Sequence, residues 1–183
     1  MPPLTYTDYA ALPDDGKRHE LIRGEFVMTP APGSRHQWVV FRLARILADH
    51  ADRRGLGTVW ISPIDLILDD STTVRPDILF LARGREELMR KRGAEGAPTL
   101  VVEVLSPTRT AHELVVKREL YFENRVPHYW IVDPDRRTLE GLVPGSGDYA
   151  LDASFSGEDA ATLRPFPDLA IPLAAIWPPE IPD

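Results

Sequence analysis

A glutamate stands inside one of the most apolar stretches of this chain. Glu103 lies in the run Leu100-Val101-Val102-Glu103-Val104-Leu105, where apolar residues at successive positions predict a strand that is covered on both faces. Burying an unpaired carboxylate costs roughly several kcal/mol, so a proton, a cation or a metal must accompany it. Glu103 is therefore a candidate metal ligand. The alternative is a structural glutamate that meets an arginine or a helix N-terminus.

A second acid stands where another apolar run begins. Asp77 follows Pro76 and precedes Ile78-Leu79-Phe80-Leu81. An aspartate after proline is also common in turns. Two carboxylates on neighbouring strands would supply the oxygen ligands that a hard divalent cation prefers. Asp77 and Glu103 together therefore predict a metal site.

The segment 109–124 is predicted to be a helix that brings a lysine to the same place. A helix turns about 100° per residue. With Glu113 set at 0°, this spacing gives angles of about 40° for Lys117, about 340° for Leu120 and about 80° for Tyr121. Glu113 and Lys117 thus lie in the best apolar stripe of the helix, which should face the sheet.

The alternative orientation exposes Glu113 and Lys117 as a surface ion pair and buries Val115 and Phe122 instead. In the first orientation, the long lysine side chain could reach the strand end that carries Glu103. There it could stabilise a developing negative charge or position a water molecule.

The rest of the chain alternates helices with strands, and a helix between two apolar strands predicts a parallel crossover. We expect an α/β fold with a mixed β-sheet flanked by helices, in one domain spanning residues 1–183. Ser34 is the predicted N-cap of the longest helix, which Gly55 ends. The other predicted elements are a helix at 5–12, a hairpin at 19–28, and strands at 58–62, 65–68, 74–81, 99–105, 128–133, 139–143 and 149–155.

Composition narrows the possible functions. The chain of 183 residues has no cysteine, which excludes disulfides, thiolate zinc sites and a cysteine nucleophile. Its net charge of −7 disfavours non-specific adhesion to phosphate backbones, so a nucleic-acid role must be local. Neither a signal peptide nor a membrane-spanning stretch is evident, which predicts a soluble cytoplasmic protein. The histidines show no zinc-ligand spacing, and phosphate-loop, dinucleotide and serine-hydrolase motifs are lacking.

Four motifs, in their order and spacing, give this chain a family resemblance that extends from the 19–28 hairpin to Pro134. The sequence resembles the Uma-type family of restriction-endonuclease-like proteins, which is similar to the PD-(D/E)XK nuclease superfamily and implies a restriction-endonuclease-like fold. The motifs are Arg75-Pro76-Asp77, Glu103-Val104-Leu105-Ser106-Pro107, Lys117 with Tyr121, and Tyr129-Trp130-Ile131-Val132-Asp133-Pro134.

The resemblance implies that Asp77 and Glu103 bind Mg²⁺ or Mn²⁺ and that the enzyme hydrolyses phosphodiester bonds of nucleic acid, with DNA expected over RNA. The superfamily places its lysine two residues after the glutamate, where this chain has Leu105. That role, which is to orient or activate water, passes to Lys117. The chain also has Glu113 where relatives carry aspartate.

The same resemblance implies that Glu20 and His36 lie near the site as accessory residues, together with Glu113. A homodimer is expected because nucleases that cut both strands often pair their sites. The acidic charge and the displaced lysine leave a second hypothesis open, a non-catalytic binding or assembly module that retains the nuclease fold.

Overall fold

A computed structural model describes residues 2–13, 15–107 and 111–180, and only the backbone of residues 111 and 112. Three α-helices occur in these ranges: α1 (Tyr6–Ala10), α2 (Ser34–Arg54) and α3 (Ala111–Glu123). The strands that precede α3 are β1 (Arg18–Ile22), β2 (Glu25–Thr29), β3 (Gly57–Ile61), β4 (Leu66–Asp69), β5 (Thr72–Val74), β6 (Ile78–Ala82), β7 (Met89–Arg90), β8 (Gly93–Glu95) and β9 (Leu100–Val104). The strands that follow α3 are β10 (Tyr129–Asp133), β11 (Thr138–Pro144), β12 (Tyr149–Ser156), β13 (Ala160–Ala161) and β14 (Ile171–Pro172).

The strands divide between two six-stranded sheets and one small pair. The central sheet has the order β12-β11-β10-β9-β6-β3, and the side sheet has the order β2-β1-β5-β4-β8-β7. Each large sheet contains one parallel pair, β9 with β10 and β4 with β8, among antiparallel neighbours. The predicted mixed pairing is confirmed. The distribution over two sheets was not evident in the apolar pattern.

Two buried clusters hold the helices against the central sheet. One cluster joins α2 to one face of the sheet, through residues such as Leu43, Leu47, Phe80 and Val102. The other joins α3 to the opposite face and to the side sheet. Because side chains alternate along a strand, β6 and β9 contribute residues to both clusters. A helix therefore covers each face, as the continuous apolar runs predict.

The predicted strand 74–81 is wrong, because the segment is interrupted. Strand β5 ends at Val74 in the side sheet, and β6 begins at Ile78 in the central sheet. Pro76 has no N–H to donate to a ladder, and the Arg75 N–H donates instead to Glu20 Oε1 at 2.7 Å. The chain thus crosses between the sheets directly before β6.

The helix ends differ partly from expectation. Gly33 is the N-cap of α2 and no side chain bonds there, so the predicted Ser34 cap is wrong. Gly55 ends α2 in a left-handed conformation, φ 60° and ψ 40°, as predicted. The predicted start of α3 at Arg109 lies outside the described residues. Within the described ranges, no helix is both long and apolar enough to cross a membrane.

Gly57 fixes the approach of the edge strand β3 to β6. Its φ is +137°, and a Cβ placed there would lie 2.0 Å from the Leu81 carbonyl oxygen. We expect Gly57→Ala to lower the free energy of unfolding by about 3 kcal/mol, because backbone strain and a backbone clash combine. Urea denaturation followed by circular dichroism measures the change.

Gly147→Ala is the matched control, because Gly147 has φ +95° with open space where its Cβ would be. We expect a loss of about 1 kcal/mol there, from backbone strain alone. Equal losses for the two variants would contradict the close approach of β3 to β6.

Candidate active site

The two strand acids face each other across an antiparallel pair. Strands β6 and β9 pair Ile78 with Val102, and continuing that register by one residue sets Asp77 opposite Glu103. Directly opposed residues point to the same face of a sheet, with Cβ atoms about 5 Å apart. That face is the one covered by α3. Both carboxylates are fully buried.

Glu103 is held by two side chains from α3. Its Oε1 accepts a hydrogen bond from the Tyr121 hydroxyl at 2.7 Å and another from Lys117 Nζ at 3.2 Å. Burial, with the Glu103 carboxylate beside it, raises the pKa of Tyr121 well above its ordinary value of 10.0. The phenol therefore stays protonated and donates to the carboxylate.

Lys117 joins Glu103 to a third acid. Its ammonium, fully buried, lies 2.9 Å from Glu20 Oε1 on strand β1. Burial alone would raise the pKa of Glu20, but the neighbouring Lys117 charge and its hydrogen bond hold that pKa below the ordinary value of 4.5. The lysine thus lies between two carboxyl groups from different sheets.

Asp77 contacts residues of β9, α2 and β1. Its Oδ2 accepts a hydrogen bond from the Val104 N–H at 2.8 Å and lies 3.0 Å from His36 Nε2. Its Oδ1 is 3.8 Å from Nη1 of Arg18, whose Nη2 donates to the Arg75 carbonyl. The Val104 bond ties the Asp77 carboxylate to the residue next to Glu103.

Five of the six predicted site residues make the contacts just described, in two neighbouring groups. Glu20, Lys117 and Glu103 form the first group, and Asp77 with His36 forms the second. The sixth residue, Glu113, lines a small cavity together with Arg18 and His36. The helical wheel is correct, because Lys117 is buried while Val115 on the opposite side of α3 is 54% exposed.

Arg18 was not singled out in the sequence, and Tyr121 was named in a motif without a role in the site. Arg18 stands two residues before Glu20 on β1, so both side chains lie on one face of that strand. A charged pair at that spacing in a hairpin was the available signal. Tyr121 follows Lys117 by four residues, which places the two side chains side by side on α3. Its hydroxyl therefore reaches the same carboxylate as the lysine.

The donor set suits a hard divalent cation in type. Among the described residues, no three His, Cys, Asp or Glu side chains are grouped closely enough to hold a metal ion. Mg²⁺, however, often takes only one or two carboxylates and completes its shell with water. Asp77 and Glu103 form such a pair, and Oε2 of the buried Glu20 has no hydrogen-bond partner among the described residues. The residues fit such an ion.

Replacing Lys117 with methionine removes the cation between two buried carboxylates. We expect Lys117→Met to lower the free energy of unfolding at neutral pH by about 4 kcal/mol, because the loss of one partner leaves buried charge uncompensated. Urea denaturation in EDTA measures the change. Adding Glu20→Gln should restore part of the loss, and a single variant as stable as the wild type would contradict the ion pairs.

Acid should weaken the wild type through the same contact. A carboxylate whose pKa is lowered by folding stabilises the fold when the pH is above its pKa in the unfolded chain, which is 4.5 for Glu20. That contribution is lost as the pH falls through the pKa of the folded state. Without Lys117, burial raises the pKa of Glu20, so we expect the loss caused by Lys117→Met to be largest at neutral pH and to shrink as acid protonates this carboxyl group in urea titrations. A loss independent of pH would contradict the assignment.

Comparisons with known proteins agree with this architecture. The chain resembles a crystal structure from Anabaena variabilis ATCC 29413, described as a putative nuclease belonging to DUF820, with a TM-score of 0.78 and 18% identity over 96% of this chain and 98% of that one. That likeness shows the restriction-endonuclease-like fold alone. No curated protein matches the chain. The family model Uma2, described as "Putative restriction endonuclease", matches residues 6–174. The chain therefore belongs to the Uma2 family.

Proposed function

We propose that this protein is a metal-dependent nuclease that hydrolyses phosphodiester bonds, with DNA as the first substrate to test. The observation that carries the proposal is the fully buried Lys117, held at 2.9 Å from Glu20 and 3.2 Å from Glu103. Removing three ionisable side chains from water is costly. Such buried clusters are concentrated at functional sites. Family membership and the nuclease-like fold support the same activity.

In this proposal Lys117 acts through its position and its charge. Two carboxylates and the packing of α3 hold the ammonium, so little reorganisation is needed when negative charge develops on a phosphoryl oxygen. Full burial strengthens that attraction, since no water screens it. The same ammonium can orient the attacking water. Tyr121 keeps Glu103 in place through its 2.7 Å hydrogen bond.

Asp77 and Glu103 would hold Mg²⁺ or Mn²⁺, with Glu20 beside them. When bound, the metal supplies Lewis-acid stabilisation of the scissile phosphate and lowers the pKa of a water molecule. Glu20, Asp77 and Glu103 are all buried here, and carboxylate oxygens are the ligands that such an ion prefers.

The expected homodimer stays a prediction. The alternative state is a monomer. Sedimentation at working concentration separates the two states.

Cleavage of oligonucleotides in Mg²⁺ or Mn²⁺ tests the proposal. We expect Glu103→Gln, Asp77→Asn and Lys117→Met each to lower the cleavage rate by about a hundredfold or more, because each removes a metal ligand or the charge at the reacting phosphate. EDTA should abolish cleavage by the wild type. Gel separation of labelled DNA and RNA fragments measures the rate.

Glu119→Gln is the matched control, since Glu119 lies on α3 two residues after Lys117 with a side chain 52% exposed. This variant should cleave at the wild-type rate. Wild-type protein that cleaves no better than the three site variants would overturn the proposal. It would favour the non-catalytic binding module instead.

A further inference from the structure

The outer face of α2 differs from the rest of this acidic chain. Trp38 and Phe41 are exposed there, and Arg42 and Arg45 lie beside them. The first acidic residue of the helix is Asp49, four residues after Arg45. Aromatic and cationic side chains without acids form a surface suited to bases and phosphates, on a protein whose net charge is −7.

This face opens directly onto the candidate active site. A recess of about 150 Å³ lies between α2 and the end of β3, with Asp77, His36 and Arg18 in its lining. Phe41 and Ile61 also line it, and these two are 59% and 50% exposed, so they stand where the recess meets solvent. An approaching phosphate would pass two apolar side chains before it reaches the buried acid.

The aromatic surface continues away from the recess. Phe41 and Trp38 lie three residues apart, about 60° around the helix, so their side chains are neighbours. The Arg42 guanidinium lies over the Trp38 ring at 5.9 Å. Beyond them, a groove of about 370 Å³ is lined by Trp38, Arg42, Arg137 and Trp177, with one acid, Glu158, among its other residues. Recess and groove thus meet along one helix face.

We infer that this surface, formed by Ile61, Phe41, Trp38, Arg42 and Arg45 and called here the strand track, binds a single unpaired nucleic-acid strand. The inference rests on the proposed function. Single strands are bound by aromatic side chains that stack on bases and by cations that follow one backbone. A duplex keeps its bases stacked inside and presents two charged backbones, which calls for many phosphate contacts.

The burial of the acids also favours a single strand over a duplex. Asp77, Glu103 and Lys117 have no exposed surface, and the recess that reaches Asp77 has a volume of only about 150 Å³. A single strand can turn its bases outward onto Phe41 and bend one phosphate inward. Arg18 lies at the inner end of the recess, and its side chain is 14% exposed. Its buried Nε–H has no hydrogen-bond partner among the described residues. It is the cation placed to meet that phosphate.

Fluorescence anisotropy of a labelled mixed-sequence oligonucleotide tests the track. The single strand and its duplex are each titrated with full-length protein in EDTA, so that binding is measured without cleavage. We expect the single strand to bind about tenfold more tightly than the duplex, and Phe41→Ala and Arg45→Ala each to weaken it by about five- to tenfold. Both side chains are exposed, so the variants should fold like the wild type.

Matched controls come from outside the track. Leu151→Ala removes an apolar side chain with the same 59% exposure as Phe41, on the opposite edge strand β12. Arg54→Ala removes one positive charge from the far end of α2. Both should bind the single strand like the wild type.

Duplex binding that equals or exceeds single-strand binding would overturn the inference, and so would track variants that bind like the controls. These outcomes are separate from the proposed chemistry. Metal-dependent cleavage confined to duplexes would sustain the nuclease and refute the track. Binding of single strands that depends on the track, without cleavage in Mg²⁺ or Mn²⁺, would support the track and refute the proposed nuclease activity.

Discussion

The buried contact between Lys117, Glu20 and Glu103 is the constraint around which this molecule is arranged. It joins a helix to strands of two different sheets, and all three side chains are without solvent exposure. Isolated charges in such a position would be strongly destabilising, whereas one cation between two carboxylates satisfies them together. The side sheet, α3 and the central sheet must therefore keep a fixed relation for the fold to be stable.

The same constraint explains why the neighbouring backbone is irregular. The chain leaves the side sheet after Val74, gives the Arg75 N–H to Glu20, and re-enters a strand only after Asp77. That crossing places Asp77 opposite Glu103 while its carboxylate bonds to the Val104 N–H. The break between β5 and β6 thus brings Asp77 close to Glu103 and ties the crossing backbone to Glu20.

Much of this arrangement could be predicted from sequence, for identifiable reasons. Glu103 was evident because a carboxylate inside an apolar strand is costly, and the face of Lys117 followed from helical periodicity. The division into two sheets could not be predicted from the sequence, because apolar runs do not specify which strands pair. Arg18 and the outer face of α2 were missed, since an arginine near a strand end or on a helix is ordinary surface until its neighbours are known.

Calorimetric titration with Mn²⁺ tests the central claim most directly, that the buried acids form a metal-dependent active site. We expect the wild type and Glu119→Gln to bind the ion alike and Glu103→Gln to lose that binding, because Glu103 supplies a ligand. Glu103→Gln protein that remains folded and binds Mn²⁺ as tightly as the wild type would contradict the account.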